Sequence, residues 1–187
     1  MELKDILKDK GIIGVIGNYK SNVVLDGKVK DLNIKNINKG LKLVGLDDTY
    51  LEKNVNELTI NELWKIELLT KLKDKCIIVG NLSSSLNYKD GEFIKKLFIK
   101  LVNDYKIQIV VIDKDITAFF NLTKDIFVLE NNKVIYQTNN YFDDELYKYV
   151  NMPKIIEFIK YINNNGKNIQ ETVDIYELIK DIYRRAS

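Results

Sequence analysis

The stretch Gly11-Ile12-Ile13-Gly14-Val15-Ile16-Gly17-Asn18-Tyr19-Lys20-Ser21-Asn22 constrains this chain more than any other. Ile12 to Ile16 is a short apolar run that reads as a buried strand, and it leads into a glycine loop ending in Lys-Ser. That order is the skeleton of a phosphate-binding loop. Glycines let backbone N–H groups approach phosphate oxygens, the lysine reaches the outer phosphates, and the serine hydroxyl holds Mg²⁺. Gly14, Gly17, Asn18, Lys20 and Ser21 are therefore the candidate binding residues. Lys20 to Leu25 are expected to form the first turns of the following helix, with Val23 and Val24 facing inward. One position departs from the pattern. Tyr19 stands where a glycine normally precedes the lysine, so a side chain occupies the point of closest backbone approach. The alternative is a strand, turn and helix in which Lys20 and Ser21 are solvated helix-start residues.

The rest of the composition removes several chemistries. The 187 residues contain no histidine, which excludes Ser-His-Asp and Cys-His catalysis and any histidine proton shuttle. The single cysteine, Cys76, lies in an apolar run and reads as a buried structural thiol; no intrachain disulfide or cysteine-rich zinc site can form. With 29 basic and 27 acidic residues the net charge is +2, which gives no electrostatic reason to expect nucleic acid. No apolar run approaches the ~18–20 residues of a membrane span, and Met1-Glu2-Leu3-Lys4-Asp5 does not read as a signal peptide. A cytoplasmic location is the default expectation.

Leu3, Ile6 and Leu7 have helical spacing ahead of Gly11. Val29 to Ile37 reads as a weak, exposed strand, and Leu41 to Leu46 as a short apolar cluster. Thr59 with Glu62 is a capping-box pattern opening a helix whose buried stripe is Leu63, Ile66, Leu69 and Leu72, extended by Trp64. Cys76 to Val79 is wholly apolar and Ile107 to Ile112 is apolar but for Gln108, and both suit central parallel strands. A helix runs between them through Phe93, Leu97, Leu101 and Val102. Asp113, Lys114 and Asp115 read as a solvated strand end. Ile126–Leu129 and Val134–Tyr136 flank Glu130-Asn131-Asn132-Lys133 as a β-hairpin. The remainder is helical: Asp144–Val150, a helix opened by Pro153 and stopped at Gly166, and a last helix from about Asp174 to Tyr183. Tyr141, Phe142, Tyr147, Tyr149 and Tyr161 are expected to pack, with an interface as the alternative. Alternating strands and helices argue for a mostly parallel α/β sheet flanked by helices. Residues 1–140 are expected to form the sheet domain, with 141–187 as a helical tail packed on it.

Taken in order, these pieces resemble the ATP-binding cassette (ABC) ATPases over about Gly11 to Gln137. Leu58-Thr59-Ile60-Asn61-Glu62 is similar to the signature segment Leu-Ser-Gly-Gly-Gln/Glu. Ile77-Ile78-Val79 through Asn87 is similar to the Walker B strand and its following loop, Ile109–Ile112 to the strand before the switch histidine, and Val128–Ile135 to the family's hairpin. Val44-Gly45-Leu46-Asp47 resembles the segment before the signature in cobalt-type and energy-coupling-factor cassettes. The resemblance implies a P-loop NTPase core with a C-terminal helical tail.

Against the family pattern, Tyr19 replaces the Walker A glycine, and Ile60 and Asn61 replace the signature glycines. Gly80 falls on the Mg²⁺-linked aspartate, Asn81 on the catalytic glutamate and Asn87 on the D-loop aspartate. The switch histidine falls on Lys114 or Asp113. The chain leaves little room for the N-terminal antiparallel strands, and too little between Ser21 and Leu58 for the Q-loop and helical subdomain. Phosphoryl transfer in such sites is mostly positioning and electrostatics, so these replacements together should remove nearly all of it. The resemblance thus implies a degenerate cassette with no catalytic residues, no metal site, and at most weak ATP on a vestigial loop of Gly14, Gly17, Asn18, Lys20 and Ser21. It implies pairing with an intact ABC ATPase subunit, a membrane permease or a second copy, in the cytoplasm or at the inner face of the membrane. A weakly active or nucleotide-gated ATPase subunit, and an interaction module without nucleotide, are the alternatives.

Overall fold

The computed structural model describes residues 11–186; the amphipathic segment containing Leu3, Ile6 and Leu7 lies outside them. A five-stranded sheet runs in the order β2-β3-β1-β4-β5. Its strands are β1 (Ile12–Ile16), β2 (Cys76–Gly80), β3 (Gln108–Asp113), β4 (Ile126–Glu130) and β5 (Lys133–Thr138). β1, β2 and β3 are parallel in one sheet, as their apolar runs predict, and β4 joins β1 in parallel. β5 returns antiparallel through Asn131 and Asn132, both at positive φ (50° and 61°), the geometry of a tight hairpin turn.

The helices are α1 (Ile37–Leu43), α2 (Ile60–Lys71), the single turn α3 (Leu82–Ser85), α4 (Tyr88–Tyr105), α5 (Lys154–Asn164) and α6 (Ile175–Ala186). The period-two alternation of β3 splits the core. Ile109 and Val111 join Ile77, Val79, Ile126 and Val128 in one cluster with Trp64, Ile66 and Leu69 of α2 and Ile94 and Phe98 of α4. Val110 and Ile112 join Ile13 and Val15 on the opposite face. Leu146 and Ile156, from the C-terminal part, enter the larger cluster. Among the described residues no helix is long and apolar enough to cross a membrane.

Thr59 begins α2 with a complete capping box: its side chain accepts from the Glu62 N–H while Glu62 returns to the Thr59 N–H. The buried arc of α2 is Trp64, Lys65, Ile66, Leu68 and Leu69, rotated from the expected stripe so that Leu63 is partly exposed. The expected strand at 29–37 is absent. Val29–Asp31 is a single 3₁₀ turn, and Ile37 begins α1, which buries Leu41. The tail aromatics mostly pack. Tyr141 lies edge-on to Phe120 at 5.0 Å and donates to the Thr123 carbonyl at 2.6 Å, while Tyr149 stacks on Tyr136 at 5.4 Å. Tyr161 is exposed.

Candidate functional site

The candidate site lies at the C-terminal ends of β1, β3 and β2, where the glycine loop leaves the sheet. Its first surprise is local. No helix follows the loop: residues 18–26 carry no regular secondary structure, so the expected helix over Lys20–Leu25 does not form. Val24 is 90% exposed and does not face inward. Without that helix there is no helix N-terminus behind Lys20 and Ser21 to gather N–H groups around an anion.

The candidate residues separate accordingly. Gly14 lies within β1 and is buried; a β-carbon there would sit 2.9 Å from both Ile126 and Phe119, so its bareness serves core packing. Gly17 follows β1 and donates its N–H to the Asp113 carbonyl at 3.1 Å. Asn18 and Lys20 are exposed, and among the described residues Lys20 has no hydrogen bond or ion pair. Both line a groove of about 760 Å³ beside the loop, with Asn22, Lys73 and Asp74. Ser21 turns the other way. Its Oγ donates to Glu67 Oε1 at 2.7 Å and accepts the Val23 N–H at 3.2 Å.

What displaces the loop is Tyr19. A β-carbon placed on Gly80 would lie 2.0 Å from Tyr19 Cγ and 2.3 Å from Tyr19 Cβ. The tyrosine therefore fills the space in front of Gly80, where a side chain would otherwise project from the end of β2. The two departures from the cassette pattern, a tyrosine for a glycine and a glycine for an aspartate, occupy each other's volume. The Tyr19 hydroxyl donates to Glu67 Oε1 at 3.2 Å and accepts from Lys71 Nζ at 2.6 Å. Asn81, at positive φ (58°), takes its place after β2 by donating its N–H to the Ile112 carbonyl at 3.0 Å. Glu67 and Lys71 were invisible as site residues in the sequence. Their i,i+4 spacing marks only a helix-face ion pair, and nothing local ties it to Tyr19.

Asp113 is not the solvated strand end that its neighbours suggest. It is 3% exposed and accepts from the Ser83 N–H at 2.9 Å, the Ser83 hydroxyl at 2.6 Å and the Asp115 N–H at 3.0 Å. It thereby anchors α3 to the end of β3.

The segment resembling the signature is a surface corner. Ile60 is 71% exposed. Asn61 donates to Asp90 Oδ2 at 2.8 Å, alongside Asn87 at 2.8 Å and the buried Lys65 ammonium at 2.7 Å on Oδ1. The Lys65 hydrogen bond holds the Asp90 carboxyl below its ordinary value. The hydrogen bond from Tyr50 lowers Glu62 likewise. The Cys76 thiol is pushed up by burial, as befits a structural cysteine. No group of three or more His, Cys, Asp or Glu residues able to hold a metal ion occurs among the described residues.

No family model and no curated protein matches the chain. Its backbone is similar to the ATP-binding cassette MJ0796 in a dimeric, post-hydrolysis state bound to ADP and Pi, with TM-score 0.54 and 16% identity over 70% of this chain and 64% of that one. It is also similar to cbiO1 from Clostridium perfringens, part of the ABC transporter complex cbiONQ, with TM-score 0.52 and 19% identity over 84% of this chain and 65% of that one. The chain thus spans less than two thirds of either relative. The sheet of this chain, with its flanking helices, has the P-loop NTPase fold of the ATP-binding cassettes of ABC transporters.

Proposed function

We propose that this chain is a cassette-fold protein that does not turn over ATP and acts by pairing with an intact cassette or a membrane transport component, in the cytoplasm or at the inner face of the membrane. The observation that carries the reading is the mutual occupancy of Tyr19 and Gly80. Magnesium-assisted phosphoryl transfer needs open space at the loop, a carboxylate near the metal and a group to position the attacking water. Here the ring of Tyr19 takes the space in front of Gly80, the Ser21 hydroxyl is committed to Glu67, and Asn81 has no basic oxygen to offer. Charge at Asp113 is likewise spent on Ser83 and Asp115. Pairing is supported by the relatives themselves, one described as a dimer and the other as part of a transporter complex.

A second reading, nucleotide binding with little or no hydrolysis, is favoured by one observation. Lys20 is exposed at the rim of a groove of about 760 Å³ and free to meet an anion, a volume within the range of small-molecule sites. Binding of Mg·ATP separates the two readings, and turnover tests the claim that they share. Purified protein is expected to release phosphate from Mg·ATP no faster than the Lys20→Ala variant. Turnover near about 1 s⁻¹, in the ordinary enzyme range, and abolished by Lys20→Ala, would overturn the proposal.

A further inference from the structure

We propose that the Glu67–Lys71 pair is a latch that holds loop 18–22 beside β2 and closes the outer edge of that strand against pairing with a second copy of this chain. The latch does not depend on whether ATP binds, because it is built from the sheet edge, α2 and the loop.

β2 is the last strand on its side of the sheet. Its ladder to β3 uses Lys75, whose carbonyl accepts from the Gln108 N–H, and Asn81, whose N–H donates to Ile112. Residues of the other parity, Cys76, Ile78 and Gly80, therefore turn their peptide groups outward. Such groups on an edge strand are a template for another chain. In this protein two of the three outward carbonyls are taken by side chains: Lys71 Nζ donates to Ile78 O at 3.0 Å, and Trp64 Nε1 donates to Gly80 O at 2.8 Å. The two donors sit two turns apart on one face of α2, so a single helix supplies both.

Lys71 does more than cap a carbonyl. The same ammonium lies 2.5 Å from Glu67 Oε1 and 2.6 Å from the Tyr19 hydroxyl. Glu67 Oε1 in turn receives the hydroxyls of Ser21 and Tyr19. One ion pair thus joins helix, strand edge and loop, and loss of the ammonium loosens all of them together. The strand so protected, Cys76-Ile77-Ile78-Val79-Gly80, is uncharged, rich in β-branched residues and free of proline. That is the composition of a segment that pairs with its own kind, and a two-fold pairing of identical edges is self-complementary. A second copy is therefore the occupant.

The test compares the wild type, Lys71→Met and Lys71→Met with Ile78→Pro, by sedimentation velocity over a concentration series and by amide hydrogen exchange. Proline at 78 removes only an outward N–H, so it blocks edge pairing while sparing the β3 ladder. Lys71→Met is expected to exchange at least tenfold faster over 18–25 and to gain a concentration-dependent dimer with slowed exchange in 76–80; Ile78→Pro is expected to abolish that dimer. If Lys71→Met does not fold by far-UV circular dichroism, Tyr19→Phe with Ser21→Ala opens the latch from the loop side, and the same faster exchange over 18–25 is expected. Association of Lys71→Met identical to the wild type, a new dimer that survives Ile78→Pro, or unchanged loop exchange in the hydroxyl-free variant would overturn the proposal.

Discussion

Gly80→Ala is the smallest change that tests how the loop is held. In isolation it should be benign. Gly80 does not adopt the left-handed conformation that favours glycine, so alanine there lowers the entropy of the unfolded chain and stabilises by about 0.4–1 kcal/mol. In this protein the added carbon falls 2.0 Å from Tyr19 Cγ, where ordinary contact begins at 3.4 Å. Tyr19 Cβ is also within 2.3 Å, so a rotamer change cannot relieve the overlap and the loop backbone must shift. Overpacking of this kind costs about 1–3 kcal/mol, or about 2–12 °C in melting temperature at 2–4 °C per kcal/mol. The sign should reverse once the whole side chain, Cβ included, is gone. In a Tyr19→Gly background, Gly80→Ala should be neutral or stabilising by about 0.4–1 kcal/mol. Urea unfolding of the wild type, both single variants and the double variant gives the coupling directly. Equal effects of Gly80→Ala in the two backgrounds would refute the mutual-occupancy argument.

Three further outcomes follow from other parts of the structure. Asp113→Ala removes the acceptor of the Ser83 and Asp115 donors and should destabilise by about 1.5–3 kcal/mol in urea unfolding, the range for hydrogen bonds to a charged group; an effect below about 0.5 kcal/mol, the level of a surface substitution, would contradict its burial. Thr59→Ala breaks the capping box of α2 and should cost about 1 kcal/mol, seen as a melting temperature about 2–4 °C lower. Asp90 is held below its ordinary value of 3.8, chiefly by Lys65. Because the folded carboxyl binds its proton less readily than the unfolded one, its contribution is fully present above that value and is withdrawn as pH falls through the depressed folded pKa. Asp90→Asn should therefore flatten the acid limb of the stability–pH curve below about pH 4; an unchanged limb would show that the Lys65 contact carries no linkage.

The sheet was legible because its cues are local and strong. Ile12–Ile16, Cys76–Val79 and Ile109–Ile112 are apolar runs too short for helices, and all three lie parallel in one sheet. Thr59 with Glu62, and Asn131 with Asn132, mark a helix start and a hairpin turn by their own side-chain and backbone chemistry. The loop was not legible, because its conformation is decided at a distance. Ser21 finds Glu67 across 46 positions, and Tyr19 finds the bare backbone of Gly80; together they outcompete the helix that Lys20–Leu25 would otherwise begin. Asp113 misled for a similar reason, since two of its three donors come from a turn 30 positions away. At 29–37, mixed polar and apolar residues suggested a strand, but burial of Leu41 and Val44 favours a helix starting at Ile37.

The central claim is that a cassette fold here carries a phosphate loop closed by its own tyrosine. Isothermal titration of the wild-type protein with Mg·ATP tests it most directly, with Lys20→Ala as the reference. The account predicts weak or undetectable binding, little changed by omitting Mg²⁺ or by removing Lys20, because Ser21 is committed to Glu67 and Tyr19 fills the space before Gly80. Affinity of order 1 μM, corresponding to about −8 kcal/mol, that depends on Mg²⁺ and disappears in Lys20→Ala would contradict it.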